Sequence, residues 1–205
     1  MKKDNTLQFH GSKYLLWLFA FFLLAMVAGC SKKESAIESL KAKNVAATAD
    51  SMGIYSSQGD LAMVKLLLDS EVDVNAKNSR GSNSLIEASW SGKQEVVSYL
   101  LDNKADVNLA SSEQFTALSA AVGQKHDSIA LLLLERGANP NVVDPAGSTP
   151  LIEAAWRDRL SLVKVLLAKG ANANYKRPDN AFTALKAAGD KPDIVQELKA
   201  AGATE

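Results

Sequence analysis

The chain has 205 residues, which is enough for one ordinary domain and a leader segment. Its 23 lysine and arginine residues balance its 23 aspartate and glutamate residues. The overall charge therefore gives no reason to expect a nucleic acid or an anionic surface as the partner. A single cysteine, Cys30, excludes a framework of disulfides.

Residues 1–29 have the pattern of a secretory signal peptide. Lys2, Lys3 and Lys13 form a positive region ahead of an apolar stretch over residues 14–28. That stretch is shorter than the roughly 20 residues that a membrane-spanning helix needs. The pattern therefore predicts an exported chain whose leader is removed.

The leader ends in Val27-Ala28-Gly29-Cys30, which resembles the bacterial lipobox. The resemblance implies diacylglycerol on the Cys30 thiol, cleavage before Cys30 and acylation of the new amino group. It also implies that aspartate after the cysteine favours the inner membrane. Because Ser31 stands there instead, we expect a bacterial envelope location, lipid-anchored at the outer membrane and facing the periplasm. The alternative is an unprocessed signal anchor with an incidental cysteine.

Residues 30–43 are polar and rich in lysine, and we expect them to be the lipidated cysteine and a tether. Ser35 and Glu38 have the spacing of a helix capping box, which predicts a short leading helix. Fully extended, residues 31–43 would span on the order of 45 Å. The folded part would therefore work close to its membrane.

From residue 44 onwards, one pattern recurs with a fixed period. Leu151, for example, is in register with Leu118 and Leu85, which are equally spaced. A fixed period of this size marks a repeat array, in which stacked units bury a core that one unit alone cannot bury. The period divides the chain into five units, of which the first and last are degenerate: 44–75, 76–108, 109–141, 142–174 and 175–203.

The fourth unit carries the most complete pattern: T-P-L at 149–151, A-A at 154–155, V-x-x-L-L at 163–167 and G-A-x-x-N at 170–174. This pattern resembles the ankyrin repeat, and the resemblance covers residues 44–203. It implies an all-α solenoid of paired antiparallel helices, with a β-turn finger between successive pairs. It also implies a concave groove in which partner proteins bind.

The register predicts particular core and capping positions. Leu134 and Leu167 are expected in the core of adjacent units. Gly170 follows an apolar helix, where a left-handed cap favours glycine. In the first two units Glu71 and Lys104 hold that place, which predicts local backbone strain.

The sequence contains no pattern of catalytic or metal-ligating residues. His126 would be the one histidine left after removal of the leader, and it lies where the ankyrin pattern often has histidine, so we expect a structural role. No histidine–cysteine cluster offers ligands to a metal, and no glycine-rich phosphate loop follows a strand. We therefore expect a protein that is not an enzyme and uses no cofactor, no metal and no small-molecule substrate.

Two nearly identical hexapeptides, at 85–90 and 151–156, predict a binding surface. The ankyrin resemblance implies that the residues after the paired alanines face the groove, and tryptophan is enriched at binding hot spots. The alternative is that each indole only packs against the neighbouring finger. The expected groove residues are Trp90, Ser91, Glu87, Val122, Trp156, Arg157 and Glu153, with Arg80, Phe115 and Asp144 on the fingers.

A lipobox combined with these repeats resembles periplasmic immunity proteins of secreted lipase-type effectors. That resemblance implies a module that binds and neutralises a toxic envelope-acting enzyme, such as a secreted phospholipase. The alternative is a scaffold or chaperone for a resident periplasmic enzyme, for example in oxidative-stress defence. In both cases the partners are another protein, through the groove, and the membrane, through the Cys30 lipid.

Overall fold

The computed structural model describes residues 31–204. Helix α1 occupies residues 31–42, and five pairs of helices follow, one pair for each predicted unit. The described range contains no strand, only an isolated antiparallel bridge between Lys77 and Asn83. The predicted all-α array is therefore confirmed. The pairs are α2 (Ala49–Gln58) with α3 (Leu61–Asp69), α4 (Ser84–Trp90) with α5 (Gln94–Asp102), α6 (Ala117–Gly123) with α7 (Asp127–Glu135), α8 (Pro150–Trp156) with α9 (Leu160–Ala168), and α10 (Ala184–Ala188) with α11 (Pro192–Ala200).

The first helices of the units stack on one another as one layer. Helix α4 packs between α2 and α6, and α8 packs between α6 and α10. The second helices form a parallel layer in the order α3, α5, α7, α9 and α11. Residues at equivalent positions of successive first helices therefore line one continuous surface.

Each first helix begins at a polar cap whose side chain accepts a hydrogen bond from the backbone N–H three residues later. Such a cap typically stabilises a helix by about 1 kcal/mol. In the fourth unit, Pro150 follows the cap at the first turn, where its missing N–H costs nothing. The five capping residues are Thr48, Asn83, Thr116, Thr149 and Thr183.

A single apolar core runs through all five units. The prediction that Leu134 is a core residue is confirmed, because it is buried. Leu167 is only half-buried, and its neighbour Leu166 is the core residue at that level. Consecutive helical residues point in different directions, so the first leucine of each pair is fully buried in every one of the first four units. These first leucines are Leu67, Leu100, Leu133 and Leu166.

An asparagine at the end of each of the first four units joins that unit to the next. Asn75 Oδ1 accepts a hydrogen bond from the N–H of Asp106 at 2.8 Å, and its Nδ2 donates to the carbonyl of Lys104 at 3.3 Å. Each such bond contributes about 1 kcal/mol net. The same pair of bonds recurs at Asn108, Asn141 and Asn174.

The strain predicted at the helix ends of the first two units is present. Glu71 and Lys104 have φ values of 66° and 67°, in the left-handed region that disfavours residues with a Cβ atom. Gly137 and Gly170 hold the equivalent places in the third and fourth units, at φ values of 90° and 85°. Their conformation is open to glycine without that cost.

The predicted leading helix is present over residues 31–42, but it packs on the first unit and is not a free tether. Ala36 and Leu40 are one turn apart and both are buried. Lys32 Nζ lies 2.7 Å from an oxygen of Asp69 at the end of α3. At about 1.5 Å per residue, the helix spans roughly 18 Å and not the extended length.

The capping box predicted at Ser35 does not form. Helix α1 already includes residue 31, so Ser35 lies inside it, and its carbonyl accepts a hydrogen bond from Ser39 Oγ at 2.8 Å. The predicted signal peptide, 1–29, and Cys30 lie outside the described residues. Between residues 31 and 204, no helix is both long enough and apolar enough to cross a membrane.

Candidate functional site

Trp90 and Trp156 are the last residues of α4 and α8. Both are exposed, at 48% and 59% of their surface. Since first helices form one layer, the two indoles lie on the same side of the array, with one unit between them.

Ile54, which holds the Glu87 position in the first unit, is an exposed apolar residue that sequence analysis missed. Because Ile54 lies one full period before Glu87, the repeat register could have placed it on the same surface.

Each tryptophan makes an edge contact with a phenylalanine of the next unit. The ring centroids of Trp90 and Phe115 are 6.2 Å apart, with the planes at 83°. Those of Trp156 and Phe182 are 6.0 Å apart, with the planes at 63°. Each indole therefore packs against the neighbouring finger, as the alternative expected, and still exposes about half of its surface; partner binding stays a prediction.

Phe182 was missed because the fifth unit carries one extra residue. Thr149 and Thr183 cap equivalent helices, but they are one residue further apart than Thr116 and Thr149 are. Phe182 therefore takes the place that Phe115 has in the third unit. Counting from the helix cap, and not from the previous unit, would have found it.

A glutamate lies one turn before each tryptophan and forms an ion pair. Glu87 Oε1 accepts from an Arg80 guanidinium nitrogen at 2.9 Å. Glu153 Oε2 accepts from Arg157 Nε at the same distance. Neither Glu87 Oε2 nor Glu153 Oε1 has a hydrogen bond from another residue of the described range. One carboxylate oxygen of each glutamate is thus available to a ligand.

These groups enclose two similar cavities. We call them the first aromatic pocket, of about 310 Å³, and the second aromatic pocket, of about 260 Å³. The lining residues correspond position by position across two units. The shared lining is Ser82, Ile86, Glu87, Trp90 and Phe115 in the first pocket and Ser148, Ile152, Glu153, Trp156 and Phe182 in the second.

The structure corrects the expected place of Val122, which is fully buried and offers no side chain to a partner. The residue that lies one period from both Trp90 and Trp156 is Gly123. Val122 is therefore in register with Ser89, which is also fully buried. The sequence interpretation was displaced by one residue, and one residue turns a helical side chain by about 100°.

Between the tryptophans lies a third cavity of about 220 Å³, which we call the central gap. Gly123 lines it, and a Cβ atom built there would meet nothing within 4 Å. Ser148 lines it as well, at the position that phenylalanine has in the two aromatic pockets. Gly123 of the third unit and Ser148 of the fourth thus stand where the aromatic pockets have a tryptophan and a phenylalanine, so no such pair of rings separates one aromatic pocket from the other.

The remaining predicted site residues lie around these cavities. Arg80 and Phe115 line the first aromatic pocket, while Asp144 and Arg157 line the central gap. Asp144 also accepts a hydrogen bond from the N–H of Ser148 at 2.8 Å, which holds the finger turn. Ser91 directly follows α4 as its C-cap, is half-buried, and lines none of the three cavities.

His126 supports the end of α4, which agrees with its predicted structural role. Its Nε2 lies 3.1 Å from the carbonyl oxygen of Trp90. The ring passes so close to Gly92 that a Cβ atom there would lie 2.6 Å from it. Arg159, at the equivalent position one unit later, donates to the carbonyl of Val122 at 2.6 Å. These two side chains fix the helix ends from which the groove residues project.

Within residues 31–204, no group of three or more histidine, cysteine, aspartate or glutamate side chains is arranged to hold a metal ion.

The family model described as Ankyrin repeats (3 copies) matches residues 26–111, 52–144 and 118–204. No curated protein sequence matches the chain. The three matches together run from residue 26 to residue 204, well over half of the sequence.

Proposed function

The chain belongs to the ankyrin-repeat family, whose repeats are generally protein–protein interaction modules and not enzymes, and we propose that it is an immunity protein of the bacterial envelope. In this proposal the chain catalyses no reaction. It is held at the outer membrane by a lipid on Cys30, faces the periplasm, and binds and neutralises a toxic envelope-acting enzyme such as a secreted phospholipase.

The observation that carries the binding role is the exposure of two tryptophans on one side of the array. Burial of an apolar side chain of this size is favourable by several kcal/mol, about 25 cal/mol per Å² of buried surface. A partner that covers the exposed half of an indole would therefore gain much of this burial free energy on binding. Trp90 and Trp156 both offer it next to a carboxylate, in pockets with the size and chemistry of interface hot spots.

The proposed anchor fits the packing of helix α1. Residue 31 already belongs to α1, and Ala36 and Leu40 of this helix are buried against the first unit. A lipid on Cys30 would therefore hold the first unit at the membrane surface, with no long flexible linker between them.

The lipid is tested by replacing its proposed acceptor. The Cys30→Ser variant should accumulate as an unprocessed precursor that takes up no labelled fatty acid, because a hydroxyl does not form the thioether. Mass spectrometry and metabolic labelling would check both points. A Cys30→Ser chain that is still cleaved and still lipidated would refute the anchor.

The immunity role is tested on the partner itself. Cross-linking in living cells, followed by mass spectrometry, would identify the protein held by the wild-type chain but not by a Trp90→Ala, Trp156→Ala double variant. The proposal expects an envelope-damaging hydrolase that loses its activity when the purified wild-type chain is added. A resident enzyme that keeps or gains activity in the complex would instead establish a scaffold or chaperone.

A further inference from the structure

The two aromatic pockets are copies of one another, and the unit between them is not. Ile86, Glu87 and Trp90 recur as Ile152, Glu153 and Trp156, two units later. In the third unit, Gly123 replaces the tryptophan. A ligand that needs this set of groups therefore has two places to bind and none between them.

The distance between the pockets follows from helix packing. Neighbouring helices pack about 8–10 Å apart, so the two pockets are on the order of 20 Å from one another. One side chain cannot reach both pockets. A single extended segment with two suitable side chains can, if it passes over the central gap.

The arginines that line the groove are already paired. Arg80 pairs with Glu87, and Arg157 pairs with Glu153. Arg177, in the second aromatic pocket, pairs with Asp179 at 3.0 Å. None of these three cations is left without a counterion for an anionic ligand.

Two carboxylates of the groove have no ion pair with a residue of the described range. They are Glu113, in the first aromatic pocket, and Asp144, in the central gap. The uncompensated charge along the passage is therefore negative. Each pocket adds an exposed indole and one free oxygen of its glutamate.

From this combination we propose that the partner inserts a segment carrying two cationic side chains of the arginine type, on the order of 20 Å apart, one into each aromatic pocket. A flat guanidinium stacks on an indole and donates to a carboxylate at the same time. This inference rests on the proposed function and specifies which partner surface the groove recognises.

The central gap then determines which segments bind. Because Gly123 has no side chain and open space above it, a backbone passes between the pockets without steric conflict. A tryptophan at position 123 would close this passage. Gly123 is thus a specificity-determining position because the absence of a side chain there lets the segment pass.

The test uses synthetic polyproline peptides and isothermal titration calorimetry with the detergent-solubilised full chain. Two arginines six residues apart in a polyproline helix lie on one side, about 19 Å apart. The control peptides carry two arginines three residues apart, a single arginine, or two glutamates six residues apart. Binding in both pockets at once raises the affinity through the effective concentration of the second side chain.

The proposal expects the six-residue spacing to bind at least tenfold more tightly than the three-residue spacing or the single arginine. Trp90→Ala and Trp156→Ala should each abolish that advantage. Gly123→Trp should abolish it too, because the added ring closes the passage between the two aromatic pockets. Circular dichroism melting curves would show that each variant is folded at the temperature of the titration.

Equal affinity for the two spacings, or binding of the glutamate peptide as tight as that of the arginine peptide, would overturn the proposal. The proposed function is judged separately, by the cross-linked envelope partner. If capture of that partner depends on both tryptophans and the peptides show no preference for spacing, the groove function stands and the two-arginine partner is wrong. If capture is indifferent to both tryptophans, the groove function itself fails.

Discussion

The second and fourth units share their core positions with the third unit but differ from it on the surface. Ser89, Val122 and Ala155 are equivalent and all fully buried. One position later, the second and fourth units have Trp90 and Trp156, where the third has a glycine. Because this core position is equally buried whether a tryptophan or a glycine follows it, its burial does not require the tryptophans. The difference lies in what each unit offers to a partner.

The core positions that the units share are tested most strongly at the two leucines of α9, where the largest effect on stability is expected. Leu166→Ala should lower the free energy of unfolding by about 2–5 kcal/mol, since the residue is fully buried. Leu167→Ala should cost distinctly less, because half-buried side chains lose less contact. Urea denaturation of both variants measures the two effects, and equal losses would contradict the assignment of Leu166 as the core position.

The helix ends supply a second contrast between units. Lys104→Gly should stabilise the chain by about 1 kcal/mol, because it removes a Cβ atom from a left-handed conformation. The matched change in the other direction, Gly137→Lys, should destabilise the third unit by a similar amount. Thermal unfolding of both variants tests the pair, and shifts of the same sign would refute the strain.

The smallest effect is expected at the glycine that distinguishes the third unit. Gly123→Ala should stabilise the chain by about 0.5–1 kcal/mol, because alanine is the better helix former and its methyl group would meet open space. Chemical denaturation would measure it. A destabilised Gly123→Ala variant would show that the glycine is required by the fold and not by the groove.

The fixed repeat period was sufficient to predict the helix pairs and most of the core. It worked because every unit repeats the same apolar spacing. It was not enough at two positions. Val122 was placed in the groove because it follows the alanine pair 120–121, which lies one position before the equivalent of the pair 154–155. Phe182 was missed because the fifth unit has one extra residue before Thr183.

The short helix α1 was predicted, but its packing on the first unit was not. Only Ala36 and Leu40 of this helix are buried, and two apolar positions one turn apart are too weak a signal to separate a docked helix from a tether. The asparagine that joins each unit to the next was visible in the sequence as a residue that recurs, first at Asn75, in each of the first four units. Its bonds to the loop of the next unit depend on the stacking of whole units, which no single unit reveals.

The central claim is that the second and fourth units bind a partner through Trp90 and Trp156. The most direct test is the affinity of the cross-linked partner for Trp90→Ala, Trp156→Ala and the control Val143→Ala, which shortens an exposed apolar side chain on a finger. All three should be measured below the melting temperature of each variant.

The account predicts a loss of thirtyfold or more for each tryptophan variant, since a buried anchor typically contributes about 2 kcal/mol or more and 1.4 kcal/mol corresponds to one decade of affinity. The Val143→Ala control should bind as the wild type does. Tryptophan variants that melt at lower temperature but bind with wild-type affinity while folded would contradict the account.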